Sequence, residues 1–266
     1  MSPSFLRRAM GAACGLLLCQ AVWAEGFSAL VSPPRFEDTA KPGATYRNIV
    51  EITNLSEQGE HYALHTADWQ LGVDGSAVFS DALAPGSCRP WVGIEAPEIN
   101  VGPSAKRRYR FEVAVPADAP VGECRFAIML EGDPDTLKGN LAVPVAGRIG
   151  IIVYLAIGDA APRLEVLGQQ VRDVQGQPLP VLRVRNAGNA HGRLEGLIDG
   201  RDASGRTWSF VPANLPILPG ETREIVLTPE ADVGATQPPS IAYPLTLKGR
   251  LDVGAQRIEL NATLTR

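Results

Sequence analysis

Histidine is scarce in this 266-residue chain, which holds only His61, His65 and His191. The sequence also lacks an HExxH pair, a Gly-x-Ser-x-Gly elbow and a phosphate-cradling glycine loop, so the familiar metalloprotease, serine-hydrolase and nucleotide-binding signatures are excluded. His61 and His65 stand four residues apart on one strand face, a spacing that with a carboxylate could seed a metal site. Strand histidines near a surface are more often solvated or hydrogen-bonded, and the reading is a protein with no metal, no cofactor and no enzymatic activity. A basic surplus is missing too: 25 Lys and Arg stand against 29 Asp and Glu, a net charge of −4, which gives no electrostatic footprint for nucleic acid or anionic lipid.

What is present at the start reads as an export signal. Arg7 and Arg8 precede an apolar run over residues 9–22 that is too short to span a bilayer, and Val22-Trp23-Ala24 offers a small-residue cleavage site. Residues 1–24 are therefore expected to be a signal peptide, giving a periplasmic chain from Glu25 with no integral membrane segment after cleavage. Cys19 follows Leu18, where a lipid anchor would want a small residue. The remaining 242 residues carry 23 basic and 29 acidic side chains, a net charge near −6, and are enough for one large or two ordinary domains. Cleavage removes Cys14 and Cys19 and leaves Cys88 and Cys124. In an exported chain two cysteines most simply form one disulfide, with two free buried thiols as the alternative. Closing that loop would stabilise the fold by roughly 3 to 4 kcal/mol in the chain-entropy model.

No helical periodicity is sustained after residue 24. Gly and Pro recur about every eight to twelve residues, the punctuation of a β-sandwich. Strands are expected over residues 47–54, with Ile49 and Val50 inward, 61–71, with Trp69 a candidate core aromatic, 91–95, 107–115 and 124–131. Gly102-Pro103-Ser104 and residues 116–122 supply turns, and Asp133 and Asp135 fall in a turn of the type Asp, Pro and Gly favour. The run Lys106-Arg107-Arg108-Tyr109-Arg110 alternates on its strand and should show one basic face. The second half echoes the first: residues 184–192 repeat the strand-ending asparagine and polar turn of residues 50–61, and residues 218–229 repeat the Pro/Gly turn and alternating strand of 101–116. The expected fold is all-β, two immunoglobulin-like β-sandwich domains in tandem, over residues 25–158 and 162–266, with Gly158-Asp159-Ala160-Ala161-Pro162 between them.

Residues 140–157 are the most informative stretch because they read as two kinds of strand joined end to end. Leu141, Val143 and Val145 alternate with Ala142, Pro144 and Ala146, the period of a strand with one buried face. After Arg148 the chain is almost wholly apolar and β-branched, which suits burial on both faces. Pro144 cannot donate to a central ladder and confines the first half to an edge, where another chain could add a strand. Arg35, after Pro33-Pro34, and Arg148 are candidate carboxylate-binding cations near an inter-domain cleft, where the guanidinium fork can grip in bidentate fashion. Each could equally be a surface or inter-domain ion-pair residue.

The signal segment, the early Arg35, the strand ending Ile52-Thr53-Asn54 and the stretch from Asn140 to Tyr154 resemble the periplasmic pilus-assembly (PapD-like) chaperones, a family of two immunoglobulin-like domains. Pro90-Trp91-Val92-Gly93-Ile94-Glu95-Ala96-Pro97 and residues 115–126 are closer to looser exported immunoglobulin-like relatives. The resemblance implies that Leu141, Val143 and Val145 form a donor strand completing a fibre subunit, with Arg35 as one anchor of that subunit's terminal carboxylate. The family's second anchor, a lysine, falls on Gly150, and Arg148 stands two residues earlier on the same strand face. The implied partner is a pilin-like or other fibre subunit, with an outer-membrane usher beyond it. The alternative is a structural or adhesive exported module with no client. Cys124 occupies the place of the corner tyrosine of many sandwiches, so a bond to Cys88 would tie that corner covalently.

Overall fold

A computed structural model describes residues 27–72, 74–137, 143–230 and 240–266. The expected signal peptide and Leu141 lie outside these residues. Two buried apolar clusters, one drawn from residues 31–157 and one from 164–264, form the cores of two β-sandwich units.

The first unit contains β1 (Ala29–Ser32), β2 (Arg35–Ala40), β3 (Thr45–Asn54), β4 (Glu60–Leu71), β5 (Ala77–Ser80), β6 (Val92–Ile94), β7 (Glu98–Val101), β8 (Lys106–Ala114), β9 (Gly122–Gly132), β10 (Asp135–Leu137), β11 (Val143–Val145) and β12 (Arg148–Ile157). One sheet runs β1-β3-β8-β6; the facing sheet runs β2-β12-β9-β4-β5, with β7 also on β4. Strand alternation feeds the core between them. Val50 and Ile52 from β3, Tyr109, Phe111 and Val113 from β8, and Phe126, Ile128 and Leu130 from β9 are all at most 3% exposed. Val50 therefore points inward as expected, whereas Ile49 is only half-buried, since successive strand residues face opposite sides. On β8 the outward residues Lys106, Arg108 and Arg110 make the expected basic face, with Tyr109 turned to the core. Carboxylates meet it: Lys106 pairs with Glu51 at 2.7 Å and Arg110 with Glu95 at 3.4 Å. A short 3-10 turn at Arg89–Trp91 precedes β6, so that strand starts one residue later than expected.

Cys88 and Cys124 are disulfide-bonded across 36 positions of sequence, with Cα atoms 5.6 Å apart. Next to the bridge, the Arg89 guanidinium donates to Thr66 O and Asp81 O and pairs with Asp68 at 3.3 Å. The loop after β5 is thus tied to β4 by charge and to β9 by covalent bond.

The second unit contains β13 (Leu164–Val174), β14 (Gln177–Asn186), β15 (Ile198–Arg201), β16 (Thr207–Pro212), β17 (Thr222–Pro229), β18 (Leu245–Val253) and β19 (Gln256–Leu264). Its ladder follows β13-β14-β17-β16-β15-β18-β19. The Gln256 side chain joins the two ends of this path, accepting from Leu164 N at 3.0 Å and donating to Leu164 O at 2.7 Å.

The echo between the halves has a physical basis in two asparagines. Asn54 ends β3 and Asn186 ends β14, and neither is exposed at all. Asn54 Nδ2 donates to the carbonyls of Gln58, Val101 and Gly102, while its Oδ1 accepts from Ser56 N at 2.8 Å. Asn186 repeats the device: Nδ2 donates to Ala190 O and Ile217 O, both at 2.8 Å, and Oδ1 accepts from Gly188 N at 2.9 Å. Each amide satisfies the buried backbone groups of a corner where the ladder stops, and such groups are costly to leave unpaired. Asn54→Ala and Asn186→Ala should each destabilise the protein by about 1–3 kcal/mol or more, read as a lowered urea midpoint; a midpoint unchanged in both variants would remove the corners from the stability account.

Candidate functional site at the strand edge and the domain junction

Residues 140–157 resolve into β11 and β12 with Ala146 and Gly147 between them. β12 pairs with β9 in the register Arg148↔Glu131 through Ile157↔Gly122, and β11 pairs with β10 in the register Val145↔Asp135. Three residues, Gly132, Asp133 and Pro134, therefore stand opposite two, Ala146 and Gly147, so the ribbon carries a one-residue bulge. Asp135 belongs to a strand rather than to the expected turn. Gly132 N donates to Gly147 O at 3.1 Å across this waist. Both glycines are needed there, because a Cβ on either would collide with the Phe27 ring, which packs edge-on against Tyr62 at 6.0 Å.

β12 is buried on both faces, as its composition suggests. Ile151, Val153, Leu155 and Ile157 enter the sandwich core. Ile152 and Tyr154 face the other way and join Ala67, Trp69, Ala127, Met129 and Phe79 in an outer cluster that the second unit closes with Leu218. Trp69 is buried as expected, in this outer cluster, edge-on to Tyr154 at 5.4 Å. The outward face of the sheet is apolar because the second unit covers it.

The free edge of β12 is occupied only in part. β2 runs parallel to it from Arg35↔Ile152 to Ala40↔Ile157, and Ile152 N donates to Pro34 O at 3.1 Å. From Arg148 to Ile151 the strand has β9 on one side and no strand on the other among the described residues. Backbone polar groups alternate sides along a strand. Arg148 and Gly150, in the same register as Ile152, therefore aim theirs at this open edge.

The two candidate anchors flank the gap. Arg35 stands opposite Ile152 and Arg148 four register positions earlier, about 13 Å along the strand. Gly150 is midway between them. They do not meet: Arg35 is held by Glu37 at 2.7 Å, whereas exposed Arg148 has no ion pair among the described residues. At Gly150, the position the family resemblance gives to a lysine, a Cβ would overlap the Phe79 ring reaching over from β5. Val143 and Val145, expected as donor-strand residues, lie in β11, which among the described residues pairs by backbone with β10 alone. His61 and His65 go to separate carboxylates, Asp133 at 2.9 Å and Asp81 at 3.1 Å.

A charged cluster missed by sequence reading sits where the two units meet. His191, 11% exposed, lies between Glu37 of β2 and Glu123 of β9 and stacks on the Tyr154 ring at 3.7 Å. Its backbone N–H donates to Glu123 Oε2 at 2.9 Å and its Nδ1 bonds the same oxygen. Arg193 reaches Glu37 at 3.4 Å. The hydrogen bond with His191 is the main cause holding the Glu37 carboxyl down at about 2, against the opposing effect of burial and with help from the charges of His191, Arg35 and Arg193. The only sequence signal for this cluster was the position of His191 in the turn that echoes the first domain.

No protein-family model and no curated protein matches the chain. Among solved structures it is similar to the YadV chaperone, at 13% identity and a TM-score of 0.48 over 90% of this chain and 100% of that one. It is also similar to a chaperone–tip adhesin complex of CFA/I fimbriae biogenesis, at 10% identity and a TM-score of 0.46 over 86% of this chain and 99% of that one. A third is the CsuC–CsuE chaperone–tip adhesion subunit pre-assembly complex of Acinetobacter baumannii, at 16% identity and a TM-score of 0.45 over 90% and 100%.

The contact between Phe79 and Gly150 is testable by a double-mutant cycle. Gly150→Ala should destabilise the protein by about 1–3 kcal/mol through overpacking, and Phe79→Ala in the same chain should recover part of that loss. Additive effects of the two substitutions in thermal unfolding would show that the ring does not press on this position.

Proposed function

We propose that this protein is a periplasmic chaperone-like protein that binds a fibre subunit by strand addition along β11 and β12. The observation that carries the reading is the edge of β12 from Arg148 to Ile151, left open because β2 begins only at Ile152. An incoming strand pairing there would continue along β11, where Leu141, Val143 and Val145 would supply the apolar side chains that fill the client's groove. A C-terminal carboxylate arriving at Gly150 would stand between Arg148, which has no ion pair among the described residues, and Arg35. Three aliphatic side chains buried in a client would contribute about 1.5 to 3 kcal/mol each, before the cost of association is subtracted. Export by residues 1–24 would put the protein where fibre subunits cross the periplasm, with an outer-membrane usher as the acceptor of the complex.

One observation favours a second reading, a structural or adhesive module with no client: β2 already covers β12 from Ile152 to Ile157 and β10 already pairs with β11. Co-expression with a pilin-like subunit distinguishes the two. Strand addition predicts a complex recovered from the periplasm that Leu141→Glu or Arg148→Ala weakens by tenfold or more. The module predicts a stable protein without a client and slow amide exchange at Arg148 and Gly150. An observed complex that survives Leu141→Glu and Arg35→Ala unchanged would sink the proposed mechanism.

A further inference from the structure

We propose that His191 is a pH-dependent latch between the two domains, closed when its imidazole bridges Glu37 and Glu123 and loosened when it gives up a proton. An imidazolium carries two N–H donors and the neutral ring only one. His191 Nδ1 meets Glu123 Oε2, and Nε2 lies 3.5 Å from Glu37 Oε2, so only the cation can hold both carboxylates together. The two carboxylates belong to β2 and β9 of the first domain and the histidine to the second, so the bridge crosses the junction.

The surroundings determine which link loosens. Glu123 is 2% exposed and retains Arg125 at 3.4 Å and the His191 backbone N–H when the ring is neutral. Glu37 is 38% exposed and retains Arg35 and Arg193. Tyr154, packed flat against the imidazole, is pushed up to about 12 by burial and stays neutral throughout the range. The neutral ring keeps its single proton on Nδ1, which donates to the nearer Glu123, and the contact of Nε2 with Glu37 weakens first. Asn189 to Val121 O at 3.3 Å, and Arg223 to Gly72 O and Leu71 O at 3.1 and 3.3 Å, still tie the domains, so the opening is local.

The signs follow from the two shifts. Burial pulls the His191 pKa down, but its hydrogen bonds to Glu123 and Glu37 outweigh this and leave it raised above 6.5. Its stabilising contribution is therefore complete below 6.5 and lost as pH climbs through the raised value. The Glu37 contribution is complete above 4.5 and lost as pH falls towards about 2. Between those limits the latch is closed.

The test uses the intact mature protein at pH 6.0 and 8.5. The His191 ring resonance should titrate with a midpoint above 6.5. Between the two pH values the wild-type Tm should fall by about 2–4 °C more than that of His191→Gln. Glu37→Gln should show a smaller fall than wild type and serves if His191→Gln folds poorly. His61→Gln controls for the other histidine whose pKa is raised, through Asp133, and should keep the His191-dependent fall. A midpoint at or below 6.5, or an undiminished fall in both His191→Gln and Glu37→Gln, overturns the latch.

Discussion

The arrangement of this molecule depends on the burial of both faces of the sheet formed by β2, β12, β9 and β4. A sandwich sheet ordinarily has one dry and one wet face, which would make β9 and β12 alternate in polarity. Here Phe126, Ala127, Ile128, Met129 and Leu130 are all 1% exposed or less. The even positions serve the sandwich core and the odd ones the outer cluster with Tyr154 and Leu218. The junction between domains is therefore an extension of apolar packing through the sheet. The charged groups around His191 lie beside that contact, with Glu123 and His191 largely buried and Glu37 partly exposed.

That constraint explains which parts were readable in advance. The run from Ile149 to Val153 announced a strand buried twice over, because only an apolar neighbour on each side tolerates such a sequence. Asn54 and Asn186 announced a duplicated corner, because a short amide at the end of a strand can satisfy the carbonyls of the loop that follows. The disulfide was legible from the cysteine count once residues 1–24 are read as a signal peptide. The partner of each outward residue was not legible. Trp69 carries the same hydrophobic signal whether it faces the sandwich core or a second domain. Glu37, Glu123 and His191 are 154 positions apart at the extremes, and no periodicity links residues brought together only by docking of two domains.

Arg35 and Arg148 illustrate the same limit at the candidate site. Sequence suggested both as cations near an inter-domain cleft, although they lie on different strands, Arg35 on β2 and Arg148 on β12. It could not show that Arg35 would already be engaged by Glu37, its neighbour two residues along the same strand, while Arg148 would be left exposed. Gly150 looked like a missing anchor. Its glycine is instead explained by what lies above it, since the Phe79 ring from β5 occupies the space any larger residue would need.

The same logic of space governs where the strand breaks. A continuous β11–β12 would need a side chain or a regular ladder at residues 146–147, yet Phe27 lies against Gly147 and Gly132 and leaves room only for backbone. The extra residue opposite, in Gly132-Asp133-Pro134, absorbs the interruption: a bulge leaves one residue unpaired, which suits a proline with no N–H to donate. Beyond the waist, β10 and β11 pair only with each other among the described residues, outside the ladder of the main sheet. The edge open to an added strand thus begins on a two-stranded ribbon and ends on a strand buried on both faces. Strand addition as proposed would find its backbone partners at Arg148 and Gly150, next to the point where β2 begins opposite Ile152.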